Sequence, residues 1–195
     1  MQRWNTENSL LPLLQGKLPV PTLLPNNTDG EILLKAVAGL HAQDVINNDS
    51  QANILLGLGR LLQQIQSLSV EPFQGLLTGN GTVLVHGDFG PQNLLVNQKS
   101  YQPALLFDWE WAHLGDPVED AAWCEWIVRM FHQPAAKDLP RFYEAYGQLP
   151  AWSDRHESMQ MTCRRHLDFA RLMGRRKTIQ QWQNRVVYTR RLTSF

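Results

Sequence analysis

The chain has 195 residues, of which 43% are hydrophobic and 18% charged, with 18 Lys and Arg balanced by 18 Asp and Glu. That length suits one domain. It holds no apolar run near the roughly 20 residues of a membrane helix, no apolar leader in MQRWNTENSL, and only Cys124 and Cys163, so a membrane span, a secreted disulfide scaffold and a zinc ribbon are excluded and a reducing cytoplasm is expected. The zero net charge is polarised: from residue 151 onward there are ten Lys and Arg and three acids, leaving residues 1–150 with a net −7. Without interleaved aromatics this basic tail argues against a nucleic-acid partner and for docking on the acidic part of the same chain.

In chain order, Glu7–Leu14 reads as a short helix containing Pro12. Lys17–Leu24 reads as extended, because Pro19 and Pro21 push their predecessors out of the helical region. Asn26–Gly30 has turn chemistry, and Glu31–Val37 is expected as a strand pairing with Thr22–Leu24 in a hairpin. Gln51–Leu68 is the clearest helix. Ile54, Leu55, Leu58, Leu61, Leu62, Ile65 and Leu68 recur at steps of three and four, and Gly57 and Gly59 within it are read as close-packing positions. Three short apolar runs follow, Val83–Val85, Leu94–Val96 and Leu105–Phe107. The helical pattern then returns over Pro117–Ala136, Leu139–Tyr146 and Asp154–Arg191, broken at Gly174. Asp116, Pro117 and Glu119 fit the cap, first and third positions of a capping box. Trp109, Trp111, Trp123 and Trp126 are expected to fill the core or to line the substrate cleft, with the core preferred. The whole is α+β with segregated layers.

The polar residues of interest lie in the loops between the apolar runs. Val83-Leu84-Val85-His86-Gly87-Asp88-Phe89-Gly90-Pro91-Gln92-Asn93-Leu94-Leu95-Val96 is a strand, a loop carrying H-x-D-x-x-x-x-N, and a second strand. Fifteen residues on, Asp108 ends another run. Phosphoryl transfer needs such a set, with one carboxylate to orient or deprotonate an attacking hydroxyl and further hard oxygens to hold Mg²⁺ on the nucleotide phosphates. His-Gly-Asp and Gly-Pro-Gln-Asn also serve as plain turn formers, but the D-x4-N spacing, the flanking strands and the second Asp coincide here.

VHGDFGPQNLLV followed by LLFDWEWAHLGDPVEDAAW resembles the catalytic half of the aminoglycoside phosphotransferase family, which shares the protein-kinase-like fold with choline kinase and related enzymes. GEILLKAVAG, ILLGLGRLLQQIQSL and TENSLLPLLQGKLPVPTLL extend the likeness over most of residues 5–130. The resemblance implies a mainly helical C-lobe over residues 41–195 and a residual N-lobe helix, strands and hinge over 1–40. It implies Asp88 as the catalytic base, Asn93 and Asp108 as Mg²⁺ ligands, and His86 and Asp120 as supports of the loop. Glu7 falls where the family has the glutamate that pairs with a phosphate-binding lysine, and the backbone near Ala36 and Ala38 would bind the adenine. Glu110 is left open between a substrate contact and a solvated charge.

The sequence also departs from that family. No G-x-G-x-x-G occurs and no lysine precedes Glu7, so the first N-lobe strands are expected to be absent and the paired edge bare. The expected activity is transfer of the γ-phosphoryl of ATP or GTP to a hydroxyl of a small molecule, one that the acidic balance of residues 1–150 would suit if cationic. The alternative is an inactive C-lobe remnant serving as a binding module, or a chain completed by another polypeptide.

Overall fold

The computed structural model describes residues 3–26, 28, 31–48 and 51–194. Helix α1 (Arg3–Leu14) begins four residues before the expected start and continues through Pro12. Leu10, Leu11 and Leu14 are fully buried, and that burial offsets the one backbone bond the proline cannot make. The expected hairpin is reduced to one antiparallel bridge, Leu23 opposite Leu34, with Leu24 N–H donating to Leu33 C=O and Lys35 N–H to Thr22 C=O. The prolines on one side and the exposure of Leu33, Leu34 and Val37 on the other leave little to hold a longer ladder. Asn27, Asp29 and Gly30 of the expected turn lie outside the described residues.

Among the described residues five short strands form two small antiparallel sheets. β1 (Leu40–His41), β3 (Leu94–Val96) and β4 (Pro103–Leu106) make one sheet, in the order β1-β3-β4. β2 (Val83–Val85) and β5 (His113–Gly115) make the other, with Leu84 opposite Leu114. β1 and β5 are too short and too mixed in polarity to stand out from the sequence. Helix α2 (Ala42–Val45) is a single turn after β1. The third expected strand begins and ends earlier than its apolar run, because Pro103 pairs with Val96 while Phe107 has already turned out of the ladder.

Helix α3 (Gln51–Gln66) buries its predicted stripe from Ile54 to Ile65 but ends two residues before the expected Leu68, which is half-buried. Gly59 is required there, since a Cβ on it would stand 2.2 Å from the carbonyl oxygen of Phe142 in α5 (Leu139–Tyr146). The expected helix after Asp116 stops at Phe131 as α4 (Val118–Phe131), and Gln133–Asp138 is a 3₁₀ segment. Pro134 fits the start of that segment rather than a continued α-helix. The last stretch divides into α6 (Trp152–Leu172) and α7 (Arg176–Arg190), with Gly174 at φ +64° between them, a conformation that favours glycine.

Two apolar clusters share α4. One joins α1, α3, α5 and strand residues to Ala121, Cys124 and Val128, and also takes in Leu18 and Val20. The other joins Trp123, Trp126 and Ile127 to Met159, Cys163 and Leu167 of α6 and Val186 of α7. Asp120 through Val128 are all buried, as expected of a helix with packed elements on every side.

Candidate active site

The chain passes twice between the two sheets. Loop 86–93 leads from β2 to β3, and loop 107–112 returns from β4 to β5. The register that sets Leu94 opposite Leu106 brings Asn93 beside Phe107, whose N–H donates to the Asn93 carbonyl at 3.0 Å. His86 ties the same two loops from within. Its Nδ1 accepts the Asp88 N–H at 3.3 Å, so Nε2 carries the proton and donates to Phe107 C=O at 3.1 Å. Burial lowers the His86 pKa to about 4, only partly opposed by the Phe107 bond, so the ring is a neutral strut. Tryptophan 109 lies against it, with ring centroids 4.5 Å apart.

Asp120 holds the loop from α4. Its two carboxylate oxygens accept the N–H groups of His86 at 2.6 Å and Gly87 at 3.0 Å. Burial pushes its pKa up to about 6 despite those two donors. The start of α4 is fixed as the sequence pattern indicates. Asp116 Oδ1 accepts from Val118 N–H at 2.9 Å and Glu119 Oε1 from Asp116 N–H at 2.8 Å. Glu119 also bonds His113 Nε2 at 3.0 Å.

Asp88 is half-buried and surrounded by donors. The indole N–H of Trp123 reaches its Oδ1 at 2.7 Å, Asn93 Nδ2 reaches Oδ2 at 3.0 Å, and Gln92 Nε2 reaches Oδ1 at 3.2 Å. Burial raises its pKa more than these donors and the nearby Arg165 guanidinium lower it. Asn93 also donates to the Asp88 carbonyl at 2.9 Å, so its carboxamide is oriented with the N–H₂ side toward Asp88 and the oxygen on the other side. Asp108 is exposed at φ +65°, an uncommon conformation that asparagine and aspartate tolerate best among side-chain-bearing residues. Asn93 is thus bonded to Asp88 on one side and to the backbone of Phe107, the neighbour of Asp108, on the other. Among the described residues no cluster of three or more His, Cys, Asp or Glu suits a metal. One carboxylate and one carboxamide nevertheless match the sparse, oxygen-only ligation of Mg²⁺.

The other sequence candidates fall around this centre. The Glu7 carboxylate accepts the Trp109 N–H at 2.9 Å, one residue past Asp108, and burial raises its pKa. Ala36 and Ala38 are exposed in an irregular segment just before β1. Glu110 lines a second cavity, of about 430 Å³, together with Thr6, His113 and Arg165.

Three residues escaped the sequence reading. Trp123 is expected in the core or along the cleft; it is buried and lines the cavity, and the bond from its indole to Asp88 is what the sequence reading lacks. Its place one turn after Asp120 on α4 is the signal that could have found it. Gln92 sits between the expected base, Asp88, and the expected ligand Asn93, in a 3₁₀ turn. Arg165 donates to Gly87 C=O at 2.9 Å from α6, and nothing local in the sequence links it to the loop. With the Arg155–Glu125 ion pair, it shows that part of the basic C-terminal region docks on the acidic part of the chain, while Arg164, Arg175, Arg176 and Arg190 stay exposed.

A cavity of about 440 Å³ opens beside Asp88 and Gln92, between α4, α6 and α7. Among the described residues no helix is long and apolar enough to cross a membrane.

Comparison with known proteins agrees with this geometry. The model of the phosphotransferase enzyme family matches residues 73–157, the stretch that holds both loops and α4. No curated protein matches the sequence. Among solved structures, the GDP and kanamycin complex of APH(2")-IIia aligns with a TM-score of 0.73 at 15% identity, covering 97% of this chain and 82% of that one. The apo form of a thermostable mutant of aminoglycoside phosphotransferase APH(4)-Ia gives 0.75 at 14%, covering 96% and 83%. The wild-type aminoglycoside 2'-phosphotransferase-IIIa complex with GDP gives 0.72 at 16%, covering 96% and 81%. The chain therefore resembles the phosphotransferase enzyme family in sequence over residues 73–157 and has, over nearly its whole length, the protein-kinase-like fold of the aminoglycoside phosphotransferases.

Proposed function

We propose that this chain transfers the γ-phosphoryl group of a nucleoside triphosphate, ATP or GTP, to a hydroxyl of a small molecule. The observation that carries this reading is the setting of Asp88. Its carboxylate stands at the wall of a cavity, held by Trp123, Gln92 and Asn93, with Asn93 laced to the strand end that bears Asp108. Burial raises its proton affinity, which suits a group that orients an acceptor hydroxyl and takes its proton. Asn93 Oδ1 and the Asp108 carboxylate would hold Mg²⁺. When bound, that ion would neutralise phosphate charge as the leaving group departs. His86 and Asp120 keep the loop in place without touching substrate, and the exposed backbone at Ala36 and Ala38 is available to a nucleotide base. In this reading residues 1–40 serve as the N-lobe side of the nucleotide cleft and 41–195 as the lobe that carries the chemistry.

The test is Mg-ATP turnover with a panel of hydroxyl acceptors that includes kanamycin, comparing the parent chain with Asp88→Asn. An asparagine keeps one oxygen for the Trp123 indole, so the loop is retained while the base is lost. Turnover per folded molecule is expected to fall by about 10²–10⁴-fold, far beyond any effect of a lowered urea midpoint, which the new amide N–H₂ opposite Asn93 Nδ2 would cause. Equal turnover in the variant would remove Asp88 from the chemistry. Mg-ATP binding without turnover on any acceptor would favour a nucleotide-binding module instead.

A further inference from the structure

The cavity beside Asp88 has a wall of a different character from the loop that supplies the carboxylate. From Asp88 the side chains form a ladder. The Trp123 indole N–H bonds the carboxylate, and the Trp123 ring stacks on His166 at 5.3 Å between centroids. His166 stacks on Trp182 at 4.5 Å with only 7° between planes, and the Arg185 guanidinium lies 4.4 Å from the Trp182 ring centroid. Trp126 joins the same set of near-parallel rings, 4.4 Å from Trp123 and 6.0 Å from Trp182. All of these residues line the cavity. One end is therefore a carboxylate, the middle is flat and aromatic, and the far end is a cation.

Charge decides what such a cavity accepts. The one carboxylate lining it is Asp88, which Trp123, Asn93 and Gln92 already engage. Among the described residues Arg185 makes ring contacts, to Trp182 and to Phe131 at 5.2 Å, but no ion pair and no side-chain hydrogen bond, so its donors are unspent. A ligand with several ammonium groups would find one carboxylate, already engaged, to pair with and would set one of its cations near a guanidinium, which is costly. A ring with an anionic substituent would instead stack on the indoles and meet Arg185, which favours planar pairing with a carboxylate. Gln92, whose Nε2 donates to Asp88, lines the cavity next to that carboxylate and so bounds the place the ligand's hydroxyl would take. A cavity of about 440 Å³ has room for a compound of this size.

We propose that the acceptor is a planar aromatic alcohol carrying an anionic group, with its hydroxyl at Asp88 and Gln92, its ring against Trp123 and Trp182, and its anion on Arg185. This rests on the phosphotransferase reading for what happens to the hydroxyl, but the binding itself does not require it. The experiment is calorimetry on the full chain without nucleotide, using 4-(hydroxymethyl)benzoate, benzyl alcohol and kanamycin. The benzoate is expected to bind at least about tenfold more tightly than kanamycin, and Arg185→Gln is expected to weaken the benzoate about tenfold while leaving benzyl alcohol within about twofold. Trp182→Leu should weaken both aromatic alcohols. Tighter binding of kanamycin, an unchanged benzoate affinity in Arg185→Gln, or no benzoate heat up to about 10 mM overturns the proposal. Adding Mg-ATP separates the two readings. Benzoate that binds as expected but is not phosphorylated sinks the phosphoryl-transfer reading and spares the pocket assignment. Phosphorylation of kanamycin that is indifferent to Arg185→Gln does the reverse.

Discussion

Asp120 and Glu125 lie five residues apart on the same helix, and both are buried, yet they are held by different means. Asp120 faces the loop and is matched by two backbone N–H groups, dipoles with no net charge. Glu125 faces α5 and α6 and is matched by charge. Arg155 forms an ion pair with it, Arg129 Nη1 lies 3.0 Å from its other oxygen, and the Tyr143 hydroxyl donates at 2.6 Å. Arg155 is itself buried, donates to Pro150 C=O at 3.0 Å, and packs over the Tyr143 and Trp152 rings. The first carboxylate fixes the position of the loop that carries Asp88 and Asn93. The second fastens the C-terminal helices that wall the cavity. Backbone dipoles orient without adding a full charge near Asp88, whereas the fastening lies away from the cavity wall and uses full charges.

The sharpest way to break this contrast is Arg155→Met. Removing one partner of a buried ion pair is expected to cost about 3–5 kcal/mol by denaturant unfolding, because Glu125 keeps its charge in a site that excludes water. Turnover per folded molecule should change little, and a large loss of activity in the folded fraction would mean that the two carboxylates are not separate devices.

Asp120→Asn comes next. One of the two N–H groups loses its acceptor and meets an amide donor instead, at a cost of about 1.5–3 kcal/mol, with activity falling as the loop loosens. It should also alter the pH profile. Because the folded pKa of Asp120, about 6, lies above its unfolded value, the folded chain binds that proton more tightly, and this contribution to stability is lost as pH rises from about 4 to about 6. His86 has the opposite sign. Its folded pKa of about 4 lies below the unfolded value, so its contribution is present above about pH 6.5 and is lost as pH falls toward 4. The two partly cancel in the parent chain. Urea midpoints across this range should rise more steeply with pH in Asp120→Asn than in the parent, and identical slopes would contradict the assignment of the shift to Asp120.

The smallest effect is expected for Arg129→Met. Its pair with Glu125 is a partly exposed i,i+4 contact with a side chain 16% exposed, and the loss should be about 1 kcal/mol or less. A loss as large as that of Arg155→Met would mean that the pair shares its charge evenly rather than resting on the buried arginine.

The sequence alone determined the amphipathic stripe of α3, the close-packed Gly59, the capped start of α4, the break at Gly174, and the loop bearing Asp88 and Asn93 between two apolar strands. Each of these is a local pattern in which the periodicity, the turn residues and the spacing act within a few positions of one another. Tertiary structure decided the rest. It reduced the expected hairpin to one bridge, since pairing needs a buried face that residues 31–37 lack. It created β5 by pairing with a strand 30 residues earlier, and it brought Arg165 onto the loop from 78 residues away. It also stacked Trp123, His166 and Trp182 into one wall from three different helices. Such contacts depend on how helices cross, and one chain's local pattern carries no information about which side chain a distant helix will present.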